Sequence, residues 1–315
     1  MRCPRCRAEN PDGTNYCQNC GTPQPKDSPA KKFFIAALRG VLYVALFFAV
    51  QIFVSFVFSF FMSMSLMSSR LMYGGTFTEQ EILEIAEQIA AATTDNMHTL
   101  NLIAGLITVL VLTVSFRLRK KNPVKELCVS PMPLIRAPWC VLFGIALQPI
   151  VNVLINFLPA SLLESYEEMN PLIQAGDPLY IELLDVVILV PIVEELIFRA
   201  LALQRMRRGM SAVLAVLLSS LLFGAVHGHF VSFLYASVLG IVLACLMLRN
   251  GNSVIASILC HAGFNGGSYL LSLITENLES PLLFYALILA SAALLLLSGC
   301  MIFRPLPASE EAKQV

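Results

Sequence analysis

Residues 190–200 read VPIVEELIFRA and place two adjacent glutamates and an arginine inside an apolar stretch that covers residues 179–203. This stretch is long enough to cross a membrane as a helix. An ionisable side chain in the hydrocarbon core is costly, so its presence there usually has a functional reason. Glu194, Glu195 and Arg199 therefore indicate either a functional site inside the membrane or a structural network of ion pairs.

The composition of the whole chain is that of a polytopic membrane protein. Its 315 residues are 57% hydrophobic and 13% charged, with a mean hydropathy of +0.74. These values lie outside the range of soluble globular domains. The 21 basic residues balance the 21 acidic residues, so the net charge indicates no polyanionic partner, and we expect no binding of nucleic acid.

Apolar runs that alternate with short polar breaks predict an all-α membrane protein with about eight transmembrane helices. The predicted spans are residues 41–62, 98–116, 138–159, 179–203, 211–228, 230–248, 252–274 and 282–302. The basic clusters between these spans all fall on the cytoplasmic side if the N-terminus is cytoplasmic, as the positive-inside rule requires. We therefore expect an integral membrane protein with both termini in the cytoplasm.

Residues 76–95 form a different kind of segment, in which apolar residues recur at helical spacing between glutamates and glutamines. This pattern predicts an amphipathic helix on the outer side of the membrane. We interpret it as a helix that lies on the bundle or at the interface, and a substrate lid is the alternative.

Two Cys-x-x-Cys pairs near the N-terminus predict a small zinc ribbon ahead of the membrane spans. Their four thiolates would complete the tetrahedral shell that structural zinc prefers, with Cys3, Cys6, Cys17 and Cys20 as ligands. The segment between the pairs is too polar to form a core, so metal binding has to supply the folding free energy. Disulfides are the alternative, in an oxidising compartment only. The module resembles short ribbons at the N-termini of many prokaryotic proteins, which favours a prokaryotic plasma membrane.

The helical positions of the two glutamates separate their expected roles. Glu195 and Arg199 are four residues apart and share one helix face, whereas Glu194 points about 100° away from Glu195. We expect Glu195 and Arg199 to form an ion pair, which lowers the cost of burying both charges. Glu194 is then available for chemistry.

Two further spans carry polar residues at the same spacing. Phe223 precedes His227 by four residues, and His261 precedes Asn265 by four, so each pair shares a helix face. Together with Glu194 they supply a general base and polar groups able to hold a water molecule or a metal ion. A lone histidine is more often a satisfied core residue, and we interpret His229 in that way.

Depth in the membrane is a difficulty for this grouping. Simple counting along the spans places Glu194 somewhat inside the midplane but His227 near the outer end of its span. The two can meet only if the short HGHF turn at residues 227–230 lies below the membrane surface, beside a wet cavity or within protein.

The order and spacing of these residues resemble a known family. Glu-Glu-x-x-x-Arg at 194–199, Phe-x-x-x-His at 223–227 and His-x-x-x-Asn at 261–265 are similar to the motifs of the CPBP family, the type II CAAX prenyl proteases and their bacterial Abi-like relatives. The resemblance covers approximately residues 135 to 300. It implies an intramembrane endopeptidase in which Glu194 activates water, while His227, His261 and Asn265 bind that water, the oxyanion or a metal. It leaves Glu195, Arg199 and Phe223 as supporting residues.

The sequence is compatible with an active site that uses a metal ion and with one that does not. His227 and His261 are the candidate ligands, although catalytic zinc usually has three protein ligands and ligation by an amide would be unusual. A mechanism that uses the glutamate alone is equally compatible with the sequence. Relatives are often called metalloproteases, so the resemblance slightly favours a metal.

These observations divide the chain into a zinc ribbon (1–24), a linker (25–40), two spans with the external helix (41–134), a protease core (135–303) and a cytoplasmic tail (304–315). The expected partners are the lipid bilayer and a peptide or protein substrate at or in the membrane. A non-catalytic scaffold or a bacteriocin self-immunity protein is the main alternative. A cation transporter is less favoured, because no inverted repeat or broken helix is evident.

Overall fold

The computed structural model describes residues 2–3, 5–11, 14–23, 28–72, 75–173, 176–275 and 280–304. Eleven helices lie within these residues, and β-pairing among them is limited to two isolated bridges near the N-terminus. The helices are α1 (Pro29–Met72), α2 (Glu79–Asp95), α3 (Met97–Leu118), α4 (Pro123–Glu126), α5 (Ala137–Ile155), α6 (Ala160–Ile173), α7 (179–206), α8 (Ala212–Ala225), α9 (Phe230–Arg249), α10 (Val254–Thr275) and α11 (Pro281–Phe303).

Six of the described helices are long and apolar enough to cross a membrane, by length and composition. They are Pro29–Ser68 of α1, α3, Leu134–Ile155 with α5, α9, α10 and α11. The predicted fold class, an all-α polytopic membrane protein, is confirmed. The other two predicted spans coincide with α7, which is not a uniform α-helix, and with α8, which has only 14 residues. At 1.5 Å per residue α8 is about 21 Å long, shorter than the roughly 30 Å of a bilayer's hydrocarbon core.

Helix α7 carries the glutamate pair and changes its hydrogen-bonding pattern along its length. Two π-helical segments, Leu184–Leu189 and Leu196–Leu203, flank the regular segment Val190–Glu195. The change after Leu189 coincides with Pro191, which has no N–H to donate. A π-helical turn has i→i+5 bonds, and such turns are often found at functional sites.

The second half of α7 lies at the centre of the protein. Every residue of Leu196–Leu203 is buried, and α7 packs against α1, α3, α8, α9 and α10. Burial on all sides explains why this segment is hydrophobic without a polar face, apart from its charged pair. The largest described core cluster is built around these residues.

Two glycines allow α5 and α10 to come into contact. A Cβ on Gly144 would lie 2.0 Å from the Cys260 carbonyl oxygen, and one on Gly263 would lie 2.2 Å from the Val141 carbonyl oxygen. Small residues let the backbones of membrane helices approach closely. This contact fixes α10, and hence the predicted site residues that it carries, relative to α5.

The predicted external helix is present as α2, where Thr78 and Glu81 form a capping box. None of its residues is buried, and Ile82 and Leu83 remain exposed. The structure thus gives α2 an apolar face with few contacts, and the choice between an interfacial helix and a lid stays a prediction.

The sequence predicts a linker at residues 25–40, before the first span, and a tail at residues 304–315, after the last span. Helix α1 already begins at Pro29, so residues 29–40 of the predicted linker are helical. Of the predicted tail, residues 305–315 lie outside the described residues.

Candidate active site

Glu195 lies at the centre of a fully buried polar group. Its Oε2 is 3.2 Å from Arg199 Nε, and its Oε1 is 3.1 Å from His261 Nδ1. The three side chains are at most 4% exposed. Both oxygens of this carboxylate therefore face a partner, which leaves Glu195 no free side for a substrate.

The aromatic ring of Phe223 supports the arginine of this pair. The Arg199 guanidinium carbon lies 4.1 Å from the ring centroid, a cation–π geometry. Its Nη1 and Nη2 atoms have no hydrogen-bond partner among the described residues, so the ring's face is the main contact that stabilises this side of the charge. Phe223 of the Phe-x-x-x-His motif therefore stabilises the buried Arg199 charge in addition to packing in the core.

Glu194 faces away from the buried pair. Its side chain is 15% exposed, and its Oε2 lies 3.8 Å from His261 Nε2. His261 thus stands between the two glutamates, with one ring nitrogen directed to each. Glu194 lines a cavity of about 580 Å³, which we call the polar cavity.

The polar cavity brings the four predicted site residues together. Glu194 from α7, His227 from the turn after α8, and His261 and Asn265 from α10 all line it. Its remaining polar lining residues are Gln148, Asn152, Tyr166, Tyr235 and Ser268.

Gln148 and Asn152 were missed in the sequence. They lie four residues apart in the apolar helix α5, which is the same spacing that identified the other pairs, so the signal was present. Tyr166 on α6 and Tyr235 on α9 had no comparable signal, because an isolated tyrosine is common in membrane helices.

Hydrogen bonds determine which nitrogen of His227 is available. Its Nδ1 lies 2.7 Å from the Phe223 carbonyl oxygen. A carbonyl can only accept, so Nδ1 carries the proton and Nε2 is left to act in the cavity. His227 lies two residues beyond the end of α8, and its bond back to the helix fixes the ring.

Asn265 is held by the irregular part of α7. Its Nδ2 donates a hydrogen bond to the Val186 carbonyl oxygen at 2.8 Å. Val186 belongs to the first π-helical segment, where the bonding register of the backbone shifts. One N–H of the amide remains for another acceptor.

The shared cavity resolves the difficulty over depth. Helix α8 ends at Ala225 after only 14 residues, and His227, just beyond that end, lines the same cavity as Glu194. His229 has a different role, as the N-cap of α9. Its Nδ1 accepts from the Val231 N–H at 3.2 Å and its Nε2 lies 3.1 Å from Ser165 Oγ, so its polar atoms are satisfied.

A second buried pair, which the sequence did not reveal, joins α3 to α7. His98 Nδ1 lies 3.0 Å from Asp185 Oδ2, and the side chains are 3% and 1% exposed. Asp177 accepts from two backbone N–H groups in the first turn of α3, those of His98 and Thr99. Asp185 directly precedes Val186, so this pair holds the turn that supports Asn265.

The four N-terminal cysteines form a compact cluster. Their sulfur atoms all lie within 4.8 Å of one another. The Cys3–Cys20 and Cys6–Cys17 sulfur separations are both 3.5 Å, much longer than the roughly 2.05 Å of a disulfide bond. The cluster has the ligand set of a tetrahedral metal site.

Family comparisons agree with both parts of the chain. Residues 177–267 match the family model described as type II CAAX prenyl endopeptidase Rce1-like. The chain carries an Rce1-like domain. Residues 2–24 match a zinc-ribbon domain, and no curated protein and no solved structure matches the chain. The Rce1-like match runs from before α7 into α10, which is shorter than the predicted core, and it includes all three motifs. At the family level, this domain is that of an intramembrane endopeptidase.

Proposed function

We propose that the Rce1-like domain is an active endopeptidase in which Glu194 is the general base. The observation that carries the proposal is the contrast between two adjacent carboxylates. Both carboxylate oxygens of Glu195 are paired, with Arg199 and His261, whereas the Glu194 carboxylate lines the polar cavity. A carboxylate that is exposed to a polar cavity between apolar helices can activate a water molecule there.

The proton balance of the reaction needs only Glu194. Water attacks the peptide carbonyl carbon as its proton passes to the Glu194 carboxylate, which produces a tetrahedral intermediate. The protonated Glu194 then donates this proton to the leaving amine as the C–N bond breaks. His261 Nε2 lies 3.8 Å from Glu194 Oε2, so a movement of less than about 1 Å would let it accept a hydrogen bond from the protonated carboxyl group.

The other cavity residues suit complementary tasks. Asn265 retains one N–H that can donate to the oxyanion of the intermediate, and its bond to Val186 fixes the direction of the amide. His227 Nε2 can accept a hydrogen bond from the attacking water, because its Nδ1 carries the proton. Each residue thus has one bond that orients it and one group free for the reaction.

The donor set favours a mechanism without an active-site metal. The four cysteines are the one group of three or more possible ligands within the described chain whose atoms lie within 4.8 Å of one another. Glu194, His227 and His261 do not form such a group, and catalytic zinc usually has three protein ligands. In the metal-assisted alternative, His227 and His261 would be the ligands.

The cysteine cluster, by its four thiolates, supports structural zinc in the ribbon. We place the ribbon in the cytoplasm and the protein in a prokaryotic plasma membrane, on the basis of the basic clusters and the ribbon. The substrate is a peptide or protein that enters the polar cavity from the membrane or its surface.

A search for substrates tests the proposal. Membranes that contain the parent protein are compared with membranes that contain Glu194→Gln at equal abundance, and new peptide N-termini are identified by mass spectrometry. The matched control is Glu182→Gln, a glutamate of the same helix that accepts from Tyr269. Cleavage products that require Glu194 but not Glu182 support a protease. Identical sets of peptides in all three membranes would favour a scaffold or immunity protein.

A further inference from the structure

A second cavity lies where the ends of α3 and α7 meet the N-terminal part of α1. It has a volume of about 500 Å³ and shares no lining residue with the polar cavity. We call it the basic cavity, and its lining residues are Arg39, Leu42, Tyr43, Leu46, Phe116, Arg119, Lys121, Arg205 and Arg208. Five of these side chains are cationic and none is acidic.

Two of the five cations, Lys121 and Arg205, are paired with one carboxylate, that of Glu126. Glu126 bonds to Arg205 and lies 3.2 Å from Lys121. Arg205 is only 7% exposed and bonds to Glu126, so its guanidinium has a fixed position in the wall of the cavity. Burial by itself raises the pKa of the Glu126 carboxyl, but the hydrogen bonds and positive charges of Arg205 and Lys121 together lower that pKa, so the carboxyl stays ionised at neutral pH.

The other three cations have no such partner. Arg39, Arg119 and Arg208 are exposed, and within the described residues no carboxylate pairs with them. They come from three different helices or helix ends, yet they face one cavity. Like charges repel, so a cluster of this kind is most stable with an anion bound between them.

The α1 side of the cavity changes from charged to apolar along the helix. Arg39, Leu42 and Leu46 recur at helical spacing and therefore share a face. Leu46 lies about 10 Å further along the helix axis than Arg39, at 1.5 Å per residue. Leu42 is 57% exposed, so the apolar part of the cavity is open to a ligand. A charged end followed by an apolar wall matches a phospholipid better than a soluble anion.

We propose that the basic cavity binds an anionic phospholipid, with its phosphate between Arg39, Arg119 and Arg208 and an acyl chain along Leu42 and Leu46. Basic cavities between transmembrane helices are suited to anionic headgroups. The site includes Arg205, in the last turn of α7, and Glu194 lies earlier in the same helix, so a bound lipid would stabilise the end of the helix that carries Glu194. This inference stands independently of the proposed protease activity.

Lipid titration of the purified full-length protein in neutral detergent tests the site. Binding of dioleoylphosphatidylglycerol and of dioleoylphosphatidylcholine is measured by native mass spectrometry for the parent, Arg39→Gln, Arg208→Gln and the double variant. The control is Arg249→Gln, an exposed arginine in the last turn of α9 that does not line the cavity. Inorganic phosphate and glycerol 3-phosphate are added as soluble competitors.

We expect phosphatidylglycerol to bind in preference to phosphatidylcholine, and each cavity variant to weaken that binding about fivefold, given the usual contribution of one basic residue near an anionic lipid. Arg249→Gln should bind as the parent does, and millimolar soluble phosphate should not displace the lipid. Unchanged binding in the double variant, or an equal loss in Arg249→Gln, would overturn the proposal. Displacement by soluble phosphate would instead assign the site to a free anion. If the double variant does not fold, Arg39→Lys with Arg208→Lys, which retains both charges, must bind normally.

Discussion

Two neighbouring glutamates in one helix have opposite environments because of helix geometry. A step of about 100° between consecutive residues turns Glu195 into the protein core and Glu194 towards the polar cavity. Glu195 is 0% exposed and sits between Arg199 and His261. A single residue's position on the helix therefore decides whether a carboxylate holds the fold together or is available to a substrate.

The buried pair gives the first prediction, at the level of the residue. Glu195→Gln should destabilise the protein by about 3–5 kcal/mol, because it leaves the Arg199 guanidinium buried without its carboxylate. The double variant Glu195→Gln with Arg199→Met should recover part of this loss, since neither charge remains. Thermal unfolding in detergent measures both. A fully stable Glu195→Gln that has lost activity would show that the roles of the two glutamates are wrongly assigned.

The sequence analysis selected residues that line the polar cavity, but it did not give their detailed arrangement. The spacing of four residues identified His227, His261 and Asn265, because that spacing places side chains on one face in any α-helix. The pairing of His98 with Asp185 was missed because its members are 87 residues apart, and no local pattern reports such a contact.

At the level of helices, the spans were predicted well and their irregularities were not. Long apolar runs identify membrane helices because the bilayer sets their length. The π-helical segments of α7 depend on the packing of α7 against five neighbouring helices and on the bonds that its backbone makes to them, such as Val186 to Asn265. The short α8 was predicted as a full span, because hydrophobicity alone does not show where within an apolar run a helix ends.

The contact between α5 and α10 gives the second prediction. Gly144→Ala should destabilise the protein by about 1–3 kcal/mol, because its new Cβ would collide with the α10 backbone and force the helices apart. It should also lower activity by displacing His261 and Asn265. The matched control is Gly299→Ala, whose Cβ would meet only the Phe143 ring at 3.4 Å. Equal melting temperatures for the two variants would contradict this account of the contact.

At the scale of the whole molecule, a module that matches a zinc ribbon precedes an Rce1-like domain, and the two are separate in the sequence. The zinc-ribbon match ends at residue 24 and the Rce1-like match starts at residue 177. The cysteine cluster and the polar cavity share no residue, so metal in the ribbon and chemistry in the cavity should be separable.

This separation is the third prediction. The purified full-length protein should contain about one zinc ion per chain, because four thiolates bind one tetrahedral ion. Replacement of Cys17 and Cys20 by serine should remove the zinc and leave peptide cleavage intact, as measured by elemental analysis and an activity assay on the same sample. Loss of cleavage with the zinc would show that the two parts are coupled.

The fourth prediction concerns orientation in the membrane. A cysteine introduced at Gln88 in α2 should react with a membrane-impermeant reagent added to intact cells, whereas one at Arg207 should not. The reason is that the basic clusters, including that at residues 205–208, favour the cytoplasmic side. Each variant is compared with the parent, whose own cysteines set the background. The reverse labelling pattern would invert the topology.

The most direct test of the central claim is the cleavage rate of purified Glu194→Gln on a peptide that the parent protein hydrolyses. An amide of the same shape cannot accept the proton from water, so the account predicts an unchanged melting temperature and a rate lowered by about 10²- to 10⁴-fold, the usual contribution of a general base. Measurement of both quantities on one preparation separates loss of chemistry from loss of fold. A Glu194→Gln protein that is folded and cleaves at the parent rate would contradict the claim that Glu194 activates the water.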